Sequence, residues 1–62
     1  MVTKIDYQEN YYYVEITDYY GNIHIYNYLT VFNYNIYQYI ECGNVIGECI
    51  NFYDYRVIKN EN

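Results

Sequence analysis

The chain has 62 residues and a net charge of −5, from eight Asp and Glu residues against three Lys and Arg residues. This length allows one small domain, residues 1–62, which buries only about 60% of its unfolded surface and is marginally stable alone. The acidity argues against direct nucleic-acid binding, which needs clustered Lys and Arg, and residues 5–55 contain neither. It also argues against binding to an anionic membrane surface.

The first half of the chain predicts β-structure. Residues 2–7 alternate in polarity and are expected to form an edge strand, followed by a turn at "QEN". Strong β-formers alternate with period two over residues 11–17, and a second alternating run covers residues 22–29. "DYYGN" between the two runs contains Gly21, which can adopt the left-handed conformation of a tight turn. Residues 11–29 are therefore predicted to form a hairpin.

The alternation also predicts the two faces of this hairpin. An aliphatic face would carry Val14, Ile16, Ile23 and Ile25. The opposite face would carry an aromatic band made of Tyr11, Tyr13, His24, Tyr26 and Tyr28. Cross-strand aromatic pairs contribute about 0.2–1 kcal/mol each, so such a band has a structural explanation as well as a functional one.

Residues 30–42 are ambiguous between helix and strand. As a helix, they would place an apolar stripe on the sheet, with Thr30 as N-cap and Gly43 just after the C-terminus. That stripe would consist of Leu29, Phe32, Ile36, Tyr39 and Ile40. Propensity favours the strand, because eleven weak helix formers together cost about 5 kcal/mol relative to alanine. The caps and the stripe favour a helix over about 31–42.

The expected fold class is therefore α+β. A small antiparallel sheet would be built on hairpin 11–29 and a C-terminal strand over 45–58, with the helix on its aliphatic face. The alternative, in which 30–42 is a strand, is an all-β meander.

Chemistry-bearing motifs are scarce. Serine is absent, His24 is the only histidine, and the carboxylates have no recognisable acid–base spacing. Cys42 and Cys49 have a spacing that is unusual for zinc, and we expect two reduced thiols without a metal or disulfide. We predict a non-enzymatic protein without cofactors.

Tyrosine dominates instead: the chain has thirteen, and seven lie in residues 11–28. Tyrosine is enriched in binding surfaces because it offers large contact area with few rotatable bonds. The predicted partner-binding residues are Tyr19, Tyr20, Tyr26, Tyr28, Asp18 and Glu15.

These features suggest a protein-binding inhibitor of phage or mobile-element type, with anti-defence character, which binds a basic surface of a host protein. The absence of a signal peptide or long apolar run places it in the cytoplasm, the host's if it is phage-encoded. One alternative is a homodimeric self-assembly module, since a chain this small gains stability from a second copy. A second alternative is a protein that sequesters a small nucleotide-like ligand.

Overall fold

The computed structural model describes residues 1–41, 46–47 and 54–61. Its described part is a four-stranded antiparallel sheet in which every strand lies beside its neighbour in sequence. The strands are β1 (Val2–Gln8), β2 (Tyr11–Thr17), β3 (Ile23–Leu29) and β4 (Asp54–Ile58). β1 and β4 form the two edges, so the prediction of an edge strand at the start of the chain is confirmed.

Two tight connections determine how the first three strands pair. Glu9 and Asn10 join β1 to β2 with φ of 54° and 71°, the left-handed pair that suits a two-residue hairpin turn. β2 and β3 are joined by residues 18–22, where Asp18 N donates to Asn22 O at 2.9 Å and Gly21 has φ of 86°. The predicted hairpin over 11–29 is confirmed.

The predicted faces of that hairpin are wrong. Val14 lies opposite Tyr26 and Ile16 lies opposite His24, so the aliphatic side chains of β2 share a face with aromatic residues of β3. Ile25 lies opposite Glu15 instead. Successive side chains of a strand point to opposite faces of the sheet, so the pairing register decides which side chains of two strands share a face. A shift of one residue moves every side chain of one strand to the other face of its partner.

Two bulges further alter the alternation. Between Tyr12 and Val14 of β2, the facing stretch of β3 contains one extra residue, and Tyr28 there has φ of 61°. The bulge returns Leu29 to the face of Val14. In β1, Thr3 is the extra residue, and its hydroxyl lies 3.0 Å from that of Thr17.

The core lies on one side of the sheet, here called the core face, and the other side is called the outer face. The buried cluster on the core face consists of Val2, Val14, Leu29 and Phe32. Half-buried side chains pack around it, namely Ile5, Tyr12, Ile16, Tyr26, Tyr34, Ile40 and Ile46. Ile25 is buried but lies outside this cluster, on the outer face.

The helix predicted over about 31–42 is wrong, and with it the α+β class. Residues 30–41 form an irregular segment across the core face, with a turn at 35–38. Its backbone pairs with β1 where Tyr37 N donates to Val2 O at 2.7 Å and Val2 N donates to Gln38 O at 2.9 Å. The low helix propensity of its β-branched, aromatic and Asn residues outweighs the caps, because the segment buries Phe32 without a helix. Within the described residues the all-β meander is the correct alternative.

The predicted C-terminal strand over 45–58 is confirmed only from Asp54 to Ile58. Residues 46–47 are not in a strand, and Gly47 lies where a Cβ would collide with the carbonyl oxygen of Val31. The rest of that prediction, with Cys42 and Cys49, falls outside the described residues. Among the residues that are described, there is no helix with the length and apolarity needed to cross a membrane.

Candidate functional site

The loop between β2 and β3, residues 18–22, projects from the sheet and is held by one carboxylate. Asp18 Oδ1 accepts hydrogen bonds from Tyr20 N at 2.9 Å and Asn22 N at 3.0 Å. Its Oδ2 accepts from Asn22 Nδ2 at 3.2 Å and from His24 Nε2 at 2.8 Å. The carboxylate thus satisfies donors that a solvent-exposed loop would otherwise leave to water.

A second set of contacts fastens the loop to the end of the chain. Asn60 follows β4, and its backbone N donates to Asn22 Oδ1 at 2.8 Å. Its side-chain Nδ2 donates to Tyr20 O at 2.8 Å. The positive φ of Gly21 favours glycine, and a Cβ there would also meet the Nδ2 end of the Asn60 side chain that bonds to Tyr20 O. The loop is therefore anchored on both sides.

The two tyrosines on this anchored loop point into solvent. Tyr19 is 96% exposed and Tyr20 is 76% exposed. Their rings meet edge to face, with centroids 5.4 Å apart at 90°. Aromatic rings of this size are normally tucked against a core, so rings left exposed on a well-anchored loop form a presented surface.

A groove of about 570 Å³ runs from this loop along the edge of the core. It is lined by Met1, Thr3, Ile16, Thr17, Asp18, Tyr19, Tyr39 and Ile40. Tyr39 is 75% exposed, so two exposed tyrosines, Tyr19 and Tyr39, line the groove together with aliphatic side chains. Sequence reasoning missed Tyr39 as a surface residue because the predicted helix turned it toward the core.

The other predicted partner-binding residues do not join this surface. Tyr26 lies on the core face and packs against the buried cluster. The bulge brings Tyr28 to the outer face, where its ring meets Tyr11 at 5.6 Å. Glu15 also lies on the outer face and accepts a hydrogen bond from the Tyr13 hydroxyl at 2.7 Å, which raises the pKa of Tyr13. Only Asp18, Tyr19 and Tyr20 of the six are brought together.

His24 belongs to a hydrogen-bonded chain that sequence reasoning also missed. A carboxylate only accepts, so Nε2 donates to Asp18, and in the neutral ring Nδ1 then accepts from the Tyr55 hydroxyl at 2.8 Å. Tyr55 is 31 residues away in sequence, which is why spacing gave no signal. An oriented histidine resembles part of a catalytic relay. Neither His24 nor Tyr55 lines the groove, however, and both contacts hold the loop to β4.

These contacts make the loop sensitive to acid. The hydrogen bond from His24, followed by those from Asn22 and Tyr20, lowers the pKa of Asp18 to about 2. An aspartate in an unfolded chain titrates near about 3.9. Because the folded pKa is the lower one, the contribution of Asp18 to stability is complete above about pH 4 and is lost as the pH falls toward 2.

We therefore expect Asp18→Asn to lower the melting temperature at pH 5, and the gap from the unaltered chain to close between about pH 4 and pH 2. Thermal melts followed by circular dichroism over this range would measure the gap. Asp6→Asn is the matched control, since within the described residues Asp6 accepts one hydrogen bond, from Tyr7 N. A difference in melting temperature between Asp18→Asn and the unaltered chain that stays constant down to pH 2 would contradict the lowered pKa of Asp18.

No group of three His, Cys, Asp or Glu side chains within the described ranges is placed to hold a metal ion. Comparison with known proteins gives no match: no family model fits the chain, and no curated protein or solved structure is significantly similar to it. The function is therefore inferred from the geometry of the protein.

Proposed function

We propose that the protein acts without catalysis, by binding a larger protein through the loop at residues 18–22 and the adjoining groove, and so inhibiting it. The observation that supports this most directly is the presentation of Tyr19 and Tyr20 on a loop anchored by Asp18 and Asn60. An anchored loop loses little conformational entropy on binding, so more of the contact energy appears as affinity. We call Tyr19, Tyr20, Tyr39 and the groove the tip surface.

The chemistry of the tip surface favours a partner with an apolar anchor and a basic surround. The aliphatic and aromatic carbon of the groove can receive a hydrophobic side chain, as in the buried centre of most protein interfaces. Among the described lining residues, Asp18 has the one charged side chain, and the Met1 ammonium donates to Thr17 O beside it, so the attraction of a basic partner comes from the net charge of the whole chain, −5. A basic partner would therefore be steered toward this protein at low ionic strength.

A homodimer is the second candidate, and its supporting observation is the same aromatic exposure. The tip surface of one copy would cover that of another, as a small domain with a limited core often requires. The two candidates differ in one measurable respect, because only the dimer removes Tyr19 and Tyr20 from solvent in the pure protein.

We expect Tyr19→Ala, Tyr20→Ala together to leave the fold intact and to weaken partner binding by at least about 2 kcal/mol, or roughly thirtyfold. The partner would be isolated with the tagged full chain from a bacterial lysate, identified by mass spectrometry, purified and titrated calorimetrically. Tyr37→Ala is the control, since Tyr37 is 67% exposed but does not line the groove.

Light scattering of the same variants separates the two candidates. If the unaltered chain is a dimer and the double variant is a monomer, the tyrosines form a self-interface. If the pure chain is a monomer and the double variant binds the purified partner as tightly as Tyr37→Ala does, the tip surface has neither role.

A further inference from the structure

A second cavity, of about 260 Å³, lies on the outer face at the opposite end of the β2–β3 hairpin from the tip surface. It forms where the tight β1–β2 turn meets the bulge in β3. Its walls include three phenol rings and two carboxylates, contributed by Tyr11, Tyr13, Tyr28, Asp6 and Glu9. This combination is unlike the groove, whose lining is largely apolar and contains one carboxylate among the described residues.

The bulge in β3 places the Tyr28 ring in the cavity wall, and the backbone of Tyr28 is strained there. Tyr28 has φ of 61°, a region that glycine and asparagine tolerate but that a bulky side chain rarely adopts. The extra residue brings Tyr28 to the outer face, where its ring meets Tyr11 edge to face at 84°. The backbone conformation alone would favour glycine or asparagine here, so the tyrosine contributes through its ring, which packs on Tyr11 and lines the cavity.

The negative charge of the cavity lining favours a positively charged ligand. Of the described residues, Asp6 and Glu9 line the cavity and no Lys or Arg does. A phosphate or nucleotide would be repelled, which argues against the nucleotide-like ligand considered from the sequence. Tyr13 already accepts a cation, since the Lys4 ammonium lies 5.6 Å from the centroid of its ring. Aromatic rings attract cations through the negative charge on their faces.

We propose that this cavity binds a small organic cation, specifically a methylated ammonium group. Protein ligand pockets usually measure about 300–1,000 Å³, so 260 Å³ suits a compact head group. Methylation favours binding between phenol rings because it lowers the hydration of the cation and provides apolar surface for the rings to contact. The carboxylates then supply attraction that a neutral molecule of the same shape would not experience.

The test uses the full chain, tetramethylammonium as the probe, and a buffer without amines. Nuclear magnetic resonance should show saturable shifts of the ring signals of Tyr11, Tyr13 and Tyr28, with a Kd of about millimolar. tert-Butanol, a neutral molecule of similar size, should bind at least about tenfold more weakly because it gains no cation–π attraction. Sodium chloride at equal ionic strength controls for screening.

Two variants separate the site from the fold. Tyr28→Gly should weaken tetramethylammonium binding about three- to thirtyfold, while glycine's tolerance of positive φ offsets part of the lost ring contact with Tyr11, so circular dichroism should still show the folded sheet. Asp6→Asn should weaken binding and reduce its salt dependence. Tyr39→Ala, at an exposed tyrosine outside the cavity, should leave binding unchanged. Equal binding of tert-butanol, unsaturable shifts, or undiminished binding by Tyr28→Gly would each overturn the proposal.

Discussion

Replacing Phe32 by alanine is expected to lower the free energy of unfolding by about 3–5 kcal/mol. Phe32 is only 7% exposed, and its ring lies against Tyr12 and Tyr34, with centroids 6.3 Å and 5.6 Å away. A domain of this size has about 3–9 kcal/mol of stability in total. The variant should therefore lose a large part of its stability, and its urea midpoint, followed by circular dichroism, should fall sharply.

Tyr39→Ala is the matched control for Phe32→Ala. The helical stripe predicted from the sequence turns both side chains toward the sheet, whereas in the structure Tyr39 is 75% exposed. Its replacement should change stability by no more than about 0.5 kcal/mol. Similar losses at the two positions would contradict the irregular segment over 30–41 and would restore the helix.

Replacing Leu29 by alanine is expected to cost about 2–5 kcal/mol and to couple to Val14 rather than to Ile25. The bulge at Tyr28 places Leu29 in the buried cluster with Val14, while Ile25 lies on the outer face of the same strand. Residues of one cluster deviate from additivity by about 0.5–3 kcal/mol, whereas well-separated residues add to within about 0.5 kcal/mol.

Double-mutant cycles made of Leu29→Ala with Val14→Ala, and of Leu29→Ala with Ile25→Val, measure this difference. Sucrose in the buffer favours the compact state and keeps the double variants folded during urea titration. Without the bulge, Leu29 would share the face of Ile25. Additivity with Val14 and coupling to Ile25 would therefore show that β3 runs without an extra residue at Tyr28.

Local chemistry was sufficient to predict the existence of the strands. The alternation of residues 11–17 and 22–29 predicted β2 and β3, and Gly21 marked the connection between them. Such signals are carried within a few residues, because β-propensity and turn conformations depend on neighbouring atoms. The exposed tyrosines at positions 19 and 20 followed from the same reasoning, since the tip of a hairpin has no core to cover it.

Only those contacts of the candidate site that join residues close in sequence could be predicted. Asp18 precedes Tyr19 and Tyr20 in sequence, and its carboxylate accepts hydrogen bonds from the backbone N of Tyr20 and of Asn22. Asn60 lies 40 residues from Tyr20, and its contact depends on β4 pairing with β3. No pattern in the sequence connects two such positions, because their proximity is produced by the order of strands in the sheet.

The sequence by itself determined that this is a small acidic chain whose first half is a tyrosine-rich hairpin. Only the tertiary structure decided which side chains share a face. The β2–β3 register placed Tyr26 opposite Val14, and one extra residue in β3 brought Leu29 into the core and Tyr28 to the outer face. It also decided that residues 30–41 cover the core without a helix, since burial of Phe32 against the sheet outweighs the apolar stripe that suggested one. Packing between distant segments determines these features, and local propensity does not encode it.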